Sequence, residues 1–218
     1  TYTNPLKAVE FFKKTGCDAL AISYGTMHGA SKGKNVKLRK EIAIAIKECM
    51  MHENLFGVLV SHGSSTVPRY IVDEINALGG NIQNAYGISI EELKAAIPCG
   101  IGKINVDTDI RLAVTRNMKE FFHQNPAKRD SASIGKVYEL LEEKKDQFDP
   151  RAFLPPIMDT VMYGNIPDQD TADLVEVIEK GVKEAIGTLI VEFGSFGKAP
   201  LVEQVSLEEM AERYKKCK

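Results

Sequence analysis

The feature that most constrains the fold is a repeat of short apolar segments, each followed by a polar cluster and then by a helical pattern. The segments cover residues 19–22, 56–60 and 103–106. Continuous apolar runs of this length are typical of strands that are buried on both faces of a parallel sheet, and a helix is the usual connection between parallel strands. The repeat therefore predicts an α/β fold with three parallel strands.

Capping signals place the first helices. Asn4 and Pro5 suit the start of a helix, and Gly16 suits its end. Ser89 and Glu92 form the pattern of a capping box, in which each side chain accepts a bond from the other residue's backbone. Helices are predicted over residues 5–15, 36–52, 68–78, 89–96 and 109–122.

The chain changes character after residue 125 and becomes polar and mainly helical. Helices are predicted there over residues 135–147, 149–162, 171–185 and 207–216. We expect residues 1–125 to form the sheet region. Residues 126–218 would be a helical extension and tail that pack on the same domain and form packing or oligomer surface.

Composition narrows the functional classes. The net charge of −2 indicates no positively charged surface for nucleic acid or an anionic membrane, and no apolar run approaches the ~20 residues that cross a bilayer. The first residues show no secretory signal. Cys17, Cys49, Cys99 and Cys217 have no C-x-x-C spacing, which favours reduced thiols. We expect a cytoplasmic protein with no nucleic-acid or membrane partner.

Two of the four histidines occupy equivalent positions. His28 and His62 each follow a predicted strand, and each is followed directly by a glycine. Parallel strands end at one edge of the sheet, so the two imidazoles could converge on a zinc ion, which accepts nitrogen ligands. The alternative is a pair of hydrogen-bonded histidines without a metal. His52 and His123 are expected at the surface.

Small polar residues follow the second and third strands. Gly63, Ser64 and Ser65 follow one strand, and residues 105–108 follow the next. Glycine lets backbone N–H groups approach an anion, hydroxyl groups add donors, and the N-terminus of a following helix adds positive potential. This pattern predicts a phosphate site. The alternative is an ordinary turn, with helix capping by acidic residues such as Asp107.

Three segments in order resemble signatures of the class II fructose-bisphosphate aldolases: YGTMHGA at 24–30, VSHGSS at 60–65 and KINVDTDIRLA at 103–113. Residues 148–151 and 194–214 are similar too, while Met27 stands where the family usually has Ser. The resemblance implies a (β/α)8 TIM barrel, of which this chain holds the last three strands and a helical C-terminal extension.

The resemblance also implies roles for individual residues. His28 and His62 would bind Zn²⁺, and the resemblance allows a monovalent cation near the phosphate site. Arg111 would help to bind the second phosphate. The residues that would hold the dihydroxyacetone phosphate end of the substrate are Gly29, Gly63, Ser64, Ser65, Asn105, Val106, Asp107 and Thr108.

The activity implied by the resemblance is zinc-dependent cleavage and condensation of fructose 1,6-bisphosphate, in glycolysis and gluconeogenesis, by a homo-oligomer (dimer or tetramer). The family's first five strands, with a third zinc ligand, the acid and the base, have no counterpart in this sequence. We therefore expect the natural protein to be longer and the catalytic residues to lie elsewhere. The alternatives are a tagatose-1,6-bisphosphate aldolase and a non-catalytic phosphate-binding half-barrel that needs a partner chain.

Overall fold

Three parallel strands form the sheet of the computed structural model, which describes residues 2–27, 33 and 35–216. The strands are β1 (Ala19–Ile22), β2 (Val58–Ser61) and β3 (Ile101–Ile104), in that spatial order. β2 is central and pairs with both neighbours, with a register shift between Leu59 and Val60 on the side of β3. The predicted parallel α/β arrangement is confirmed, and β3 begins and ends two residues earlier than predicted.

Helices precede the first strand, connect the strands and follow the last strand along the chain. The α-helices are α1 (Pro5–Thr15), α2 (Lys40–His52), α3 (Arg69–Ala77), α4 (Ile90–Ala96), α5 (Thr108–Gln124), α6 (Gly135–Glu143), α7 (Met158–Tyr163), α8 (Gln169–Glu192) and α9 (Leu207–Lys216). Short 3₁₀ helices cover Pro126–Asp130, Pro150–Ala152, Pro155–Ile157 and Ala199–Leu201. A search of the described residues finds no helix with the length and apolar character that crossing a membrane requires.

Local capping works as predicted for α1 and in part for α4. Asn4 Oδ1 accepts a hydrogen bond from the backbone N–H of Lys7 at 3.2 Å, and Gly16 takes a left-handed conformation with φ 62°. Ser89 Oγ accepts from the backbone N–H of Glu92 at 3.3 Å. The Glu92 carboxylate turns instead to Leu38 and two lysines, so one half of the predicted capping box is wrong.

The two faces of the sheet are packed differently. On one face, Ile22, Leu59 and Ile101 are buried in a cluster with residues of α1, α2 and α4. On the other face, Ala19 and Ala21 are exposed. The expectation that the strands are buried on both faces is therefore wrong for β1.

Four helical segments differ from their predictions. α2 begins at Lys40 instead of residue 36, and α6 ends at Glu143 instead of residue 147. Residues 149–162 form two 3₁₀ helices before α7, because Pro155 and Pro156 lack the N–H groups that a continuous helix needs. α8 continues seven residues past its predicted end at 185 and reaches Glu192. Glu192 forms an ion pair with Lys94 of α4 at 2.8 Å, a tertiary contact that local sequence cannot indicate.

α5 connects the sheet region to the helical extension. Its residue Leu112 belongs to a buried cluster with α3, while Met118 and Phe122 belong to a second cluster with α6 and α8. α8 approaches α5 so closely that a Cβ atom on Gly181 would lie 2.9 Å from the carbonyl oxygen of Ala113. α5 thus packs in both buried clusters, and its N-terminus follows β3 along the chain.

Candidate functional site

The carboxyl ends of β2 and β3 border a pocket of about 460 Å³. Its lining consists of His62, Gly63, Ser65, Ile104, Asn105, Val106, Asp107 and Thr108. All of these except Ile104 are site residues predicted from the sequence. Because neighbouring parallel strands end at the same edge of a sheet, residues from two separate connections meet here.

Backbone hydrogen bonds join the two connections just beyond the strands. The N–H of Asn105 donates to the carbonyl oxygen of Ser61 at 2.9 Å, and the N–H of Ser64 donates to the carbonyl oxygen of Asn105 at 3.2 Å. Between them, Gly63 takes a left-handed conformation with φ 67°, which glycine adopts without steric cost. The pairing of β2 with β3 therefore extends into the pocket wall.

A chain of three buried hydroxyl groups lies beneath this wall. Tyr24 OH is 2.5 Å from Ser61 Oγ, which is 2.6 Å from Ser64 Oγ. Burial raises the pKa of Tyr24, so the phenol stays neutral and can donate. Ser64, a predicted substrate-binding residue, is placed in this buried chain and not in the pocket lining. Tyr24 and Ser61 were not predicted as site residues.

The side chain of Ser65 caps α5 from a different part of the chain. Its Oγ accepts the backbone N–H of Asp107 at 3.2 Å and that of Thr108 at 3.0 Å. These groups belong to the N-terminus of α5, where N–H groups lack partners within the helix. Asp107, at the capping position itself, forms no capping bond through its side chain.

Asp109 makes the reverse connection, from α5 back to the β2 connection. Its carboxylate accepts the N–H of Thr66 at 3.0 Å, the hydroxyl of Thr66 at 2.6 Å and the N–H of Val67 at 2.9 Å. Asp109 is buried, and its bonds span more than forty residues of sequence. The sequence offered only its position near a helix N-terminus as a signal.

Arg111 lies between two carboxylates at the side of the pocket. Its Nε is 2.9 Å from Asp107 Oδ1, and its NH1 is 2.6 Å from Asp149 Oδ2. The hydrogen bond from the Arg151 guanidinium lowers the pKa of Asp149, and the positive charge of Arg111 lowers it further. Arg111, predicted to help with the second phosphate, is thus held by Asp107 and Asp149 and does not line the pocket. Asp149 and Arg151 belong to the fourth similar segment, but were not predicted as site residues.

The predicted metal ligands can be compared with the structure only in part. His28 and Gly29 lie outside the described residues, whereas His62 is exposed at the end of β2. Its imidazole suits zinc in donor type and in its place at the pocket. Within the part of the chain that the structure describes, no group of three or more His, Cys, Asp or Glu could hold a metal. A zinc site at His62 would therefore need ligands from elsewhere.

A larger cavity of about 960 Å³ lies behind the β2 connection. Thr66, Val67 and Asp109 contribute to its wall, together with residues of α3, α4 and the last turns of α8. None of the residues that line the smaller pocket is among them. The segment from Ser65 to Val67 therefore separates two spaces, and Asp109 holds this segment.

Comparison with known proteins identifies the family. A protein-family model described as fructose-bisphosphate aldolase class-II matches residues 1–198. The chain belongs to the class II fructose-bisphosphate aldolase family. A fructose-bisphosphate aldolase of Xanthobacter flavus is 34% identical over 212 residues, which are 97% of this chain and 49% of the relative. Another, of Giardia intestinalis, is 36% identical over 214 residues, 98% of this chain and 53% of the relative.

The chain thus spans about half the length of these relatives. Among solved structures, it is similar to a fructose-bisphosphate aldolase from Campylobacter jejuni, with a TM-score of 0.50 and 19% identity. That match covers 88% of this chain and 44% of the other. It supports the α/β fold, and the family predicted from three short motifs is confirmed.

Proposed function

We propose that this chain is part of a zinc-dependent aldolase that cleaves fructose 1,6-bisphosphate into dihydroxyacetone phosphate and glyceraldehyde 3-phosphate. The observation that carries the proposal is the pocket at the ends of β2 and β3, where His62, Gly63, Asn105 and Thr108 meet. Family membership supports an aldolase. Because the chain spans about half of its relatives, this pocket would form one side of a larger active site.

The proposed ligand of the pocket is the phosphate at the ketose end of the substrate. Gly63 has no side chain, so an oxygen can approach the backbone there. The Asn105 amide and the Thr108 hydroxyl are donors of the kind that bind phosphate, and the N-terminus of α5 adds positive potential. Arg111, which is bonded to Asp107 beside this pocket, is proposed to help bind the second phosphate.

The proposed zinc ligands in this chain are His62 and His28, the second of which lies outside the described residues. Bound zinc would supply Lewis-acid polarisation of the ketone carbonyl. The chain's own contribution is orientation, because Ser61, directly before His62, is held by Asn105 through its backbone and by Ser64 through its hydroxyl. The proton donor and the base are proposed to lie outside residues 1–218.

We further propose that the sheet belongs to a (β/α)8 barrel. β1 and β3 are the edges of the described sheet, and Ala19 and Ala21 are exposed on one face. In a closed barrel, further strands would pair with both edges, and interior side chains would cover that face. Residues 1–125 would then hold the last three strands, and residues 126–218 the extension. We also propose that the protein is cytoplasmic and forms a homo-oligomer, either a dimer or a tetramer.

The metal assignment can be tested in the complete polypeptide that carries this sequence. His62→Ala should lower bound zinc, measured by elemental analysis, and reduce cleavage of fructose 1,6-bisphosphate by more than about 100-fold in a coupled assay. The matched control is His123→Ala, because His123 is exposed on α5 away from the pocket. Retention of both zinc and activity in His62→Ala would refute the assignment.

The phosphate assignment has a different kinetic signature. Asn105→Ala should raise the Michaelis constant about 5- to 100-fold, the equivalent of losing one donor to a buried anion, with zinc content unchanged. Cleavage rates measured in the same way on tagatose 1,6-bisphosphate would decide which of the two ketoses is the substrate. A wild-type protein that binds phosphate and cleaves neither ketose would instead support a non-catalytic phosphate-binding role.

A further inference from the structure

The wall between the two cavities is held by a reciprocal set of hydrogen bonds, which we call the 65–109 clamp. Ser65 Oγ accepts two N–H groups from the start of α5, and the Asp109 carboxylate accepts three donors from Thr66 and Val67. Each segment thus satisfies polar groups of the other. The β2 connection and the N-terminus of α5 are therefore positioned as one unit.

Asp109 contributes the carboxylate of the 65–109 clamp. It is buried, and its two oxygens share three donors, so the charge is compensated by hydrogen bonds. Its place in the first turn of α5 adds a favourable interaction with the helix dipole. Removal of the carboxylate would leave two backbone N–H groups of the β2 connection without this acceptor.

The conformation that Asp109 holds is one that the segment would not favour by itself. Val67 has φ 52°, a left-handed conformation that is unfavourable for a β-branched residue. The N–H of Val67 donates directly to Asp109 Oδ1. In addition, Ile88 N–H donates to the carbonyl oxygen of Ser65 at 3.1 Å. The strained segment is thus held by the Asp109 carboxylate and by a backbone bond next to it.

We infer that Asp109 is a positioning residue for the phosphate pocket. Asp109 does not line that pocket, but its bonds to Thr66 and Val67 tie the β2 connection to α5 just beyond Ser65, and they act together with the bond of Ser65 to Thr108. An anion that bonds to both connections at once needs them at a fixed separation. The inference rests on the proposed function, since it takes phosphate as the ligand of the pocket.

Two variants separate positioning from simple stability. Asp109→Asn keeps the shape of the side chain, but its NH₂ group would face the backbone N–H of either Thr66 or Val67, so one of these two backbone bonds is lost. Thr66→Val removes only the hydroxyl bond to Asp109 and keeps the backbone one. The matched control is Asp73→Asn on α3, which changes an exposed carboxylate that forms an ion pair with Arg69.

The test uses the complete zinc-loaded polypeptide, with inorganic phosphate as the probe in titration calorimetry. Measurements are made well below the melting temperature of each variant, so that only folded protein contributes. Asp109→Asn should bind phosphate about tenfold more weakly, and Thr66→Val about threefold more weakly, with Asp73→Asn unchanged. In steady-state cleavage, Asp109→Asn should raise the Michaelis constant about tenfold and leave kcat within about twofold.

The outcomes distinguish the inference from the proposed function. If the wild type binds phosphate and both clamp variants bind it equally well, the positioning role is overturned while the pocket assignment stands. If Asp109→Asn does not fold, Thr66→Val decides the question by the same titration. A wild type that binds no phosphate would overturn both the pocket assignment and this inference. A fall in kcat without a change in phosphate affinity would also overturn it.

Discussion

The connections that follow β1 and β2 are similar in sequence, and their described residues are held by different helices. Each contains a His-Gly pair, at His28 after β1 and at His62 after β2. The β2 connection is short, and the 65–109 clamp bonds it directly to the N-terminus of α5. Its anchors therefore lie within a few residues of His62.

The β1 connection is longer, and the anchors seen in its described part lie at its base. The N–H of Arg39 donates to the carbonyl oxygen of Tyr24 at 2.8 Å. The Glu92 carboxylate accepts the N–H of Leu38 at 3.1 Å and the ammonium of Lys40 at 2.8 Å. Among the described residues, the two connections are therefore held by groups from different helices, the β2 connection by α5 and the base of the β1 connection by α4.

The largest expected effect comes from the packing behind the β2 connection. A Cβ atom on Gly87 would lie 2.1 Å from the carbonyl oxygen of Thr66, whereas one on Gly33, in the β1 connection, would meet no described residue within 4 Å. Gly87→Ala should therefore lower the free energy of unfolding by about 3 kcal/mol or more, and Gly33→Ala should change it by less than about 0.5 kcal/mol. Urea denaturation measures both, and equal effects would contradict the difference in anchoring.

An intermediate effect is expected at the base of the β1 connection. The Lys40 ammonium and the Leu38 N–H lower the pKa of Glu92 from its ordinary 4.5 to about 2. Because the folded-state pKa lies below the unfolded one, the stabilisation is complete above about pH 4.5 and is lost as the pH falls towards 2. Glu92→Gln should cost about 1–2 kcal/mol at pH 7 and less at pH 3.

Urea denaturation at the two pH values gives this difference. The matched control is Glu91→Gln, which changes the exposed neighbouring carboxylate on the same helix. If Glu92→Gln cost the same at pH 3 as at pH 7, the carboxylate would not be the anchor of the β1 connection.

The smallest effect should come from the hydroxyl chain that joins the end of β1 to the β2 connection. Tyr24→Phe removes one bond to Ser61, which keeps its bond to Ser64, so the expected loss of stability is about 1 kcal/mol. Ser64→Ala should have a similar effect. Because both act on the Ser61 hydroxyl, the double variant should depart from additivity, and strict additivity in a double-mutant cycle would show that the two ends are independent.

The sequence alone determined the features that a few neighbouring residues control. Asn4 and Gly16 limit α1 through capping bonds within the same helix. Three apolar segments predicted three parallel strands, and the residues that follow two of them include all of the pocket lining except Ile104. Pro155 and Pro156 also carried a local signal, which should have excluded a continuous helix over residues 149–162.

Only the tertiary structure decided how those polar groups are used. Ser64 and Ser65 are adjacent hydroxyl residues, yet one joins a buried chain to Tyr24 and the other caps α5. Asp109 reaches Thr66 across 43 positions of sequence. The sequence determines which groups can donate or accept a hydrogen bond. Which of them meet depends on the pairing of β2 with β3, and that pairing places distant residues side by side where burial makes an unpaired polar group costly.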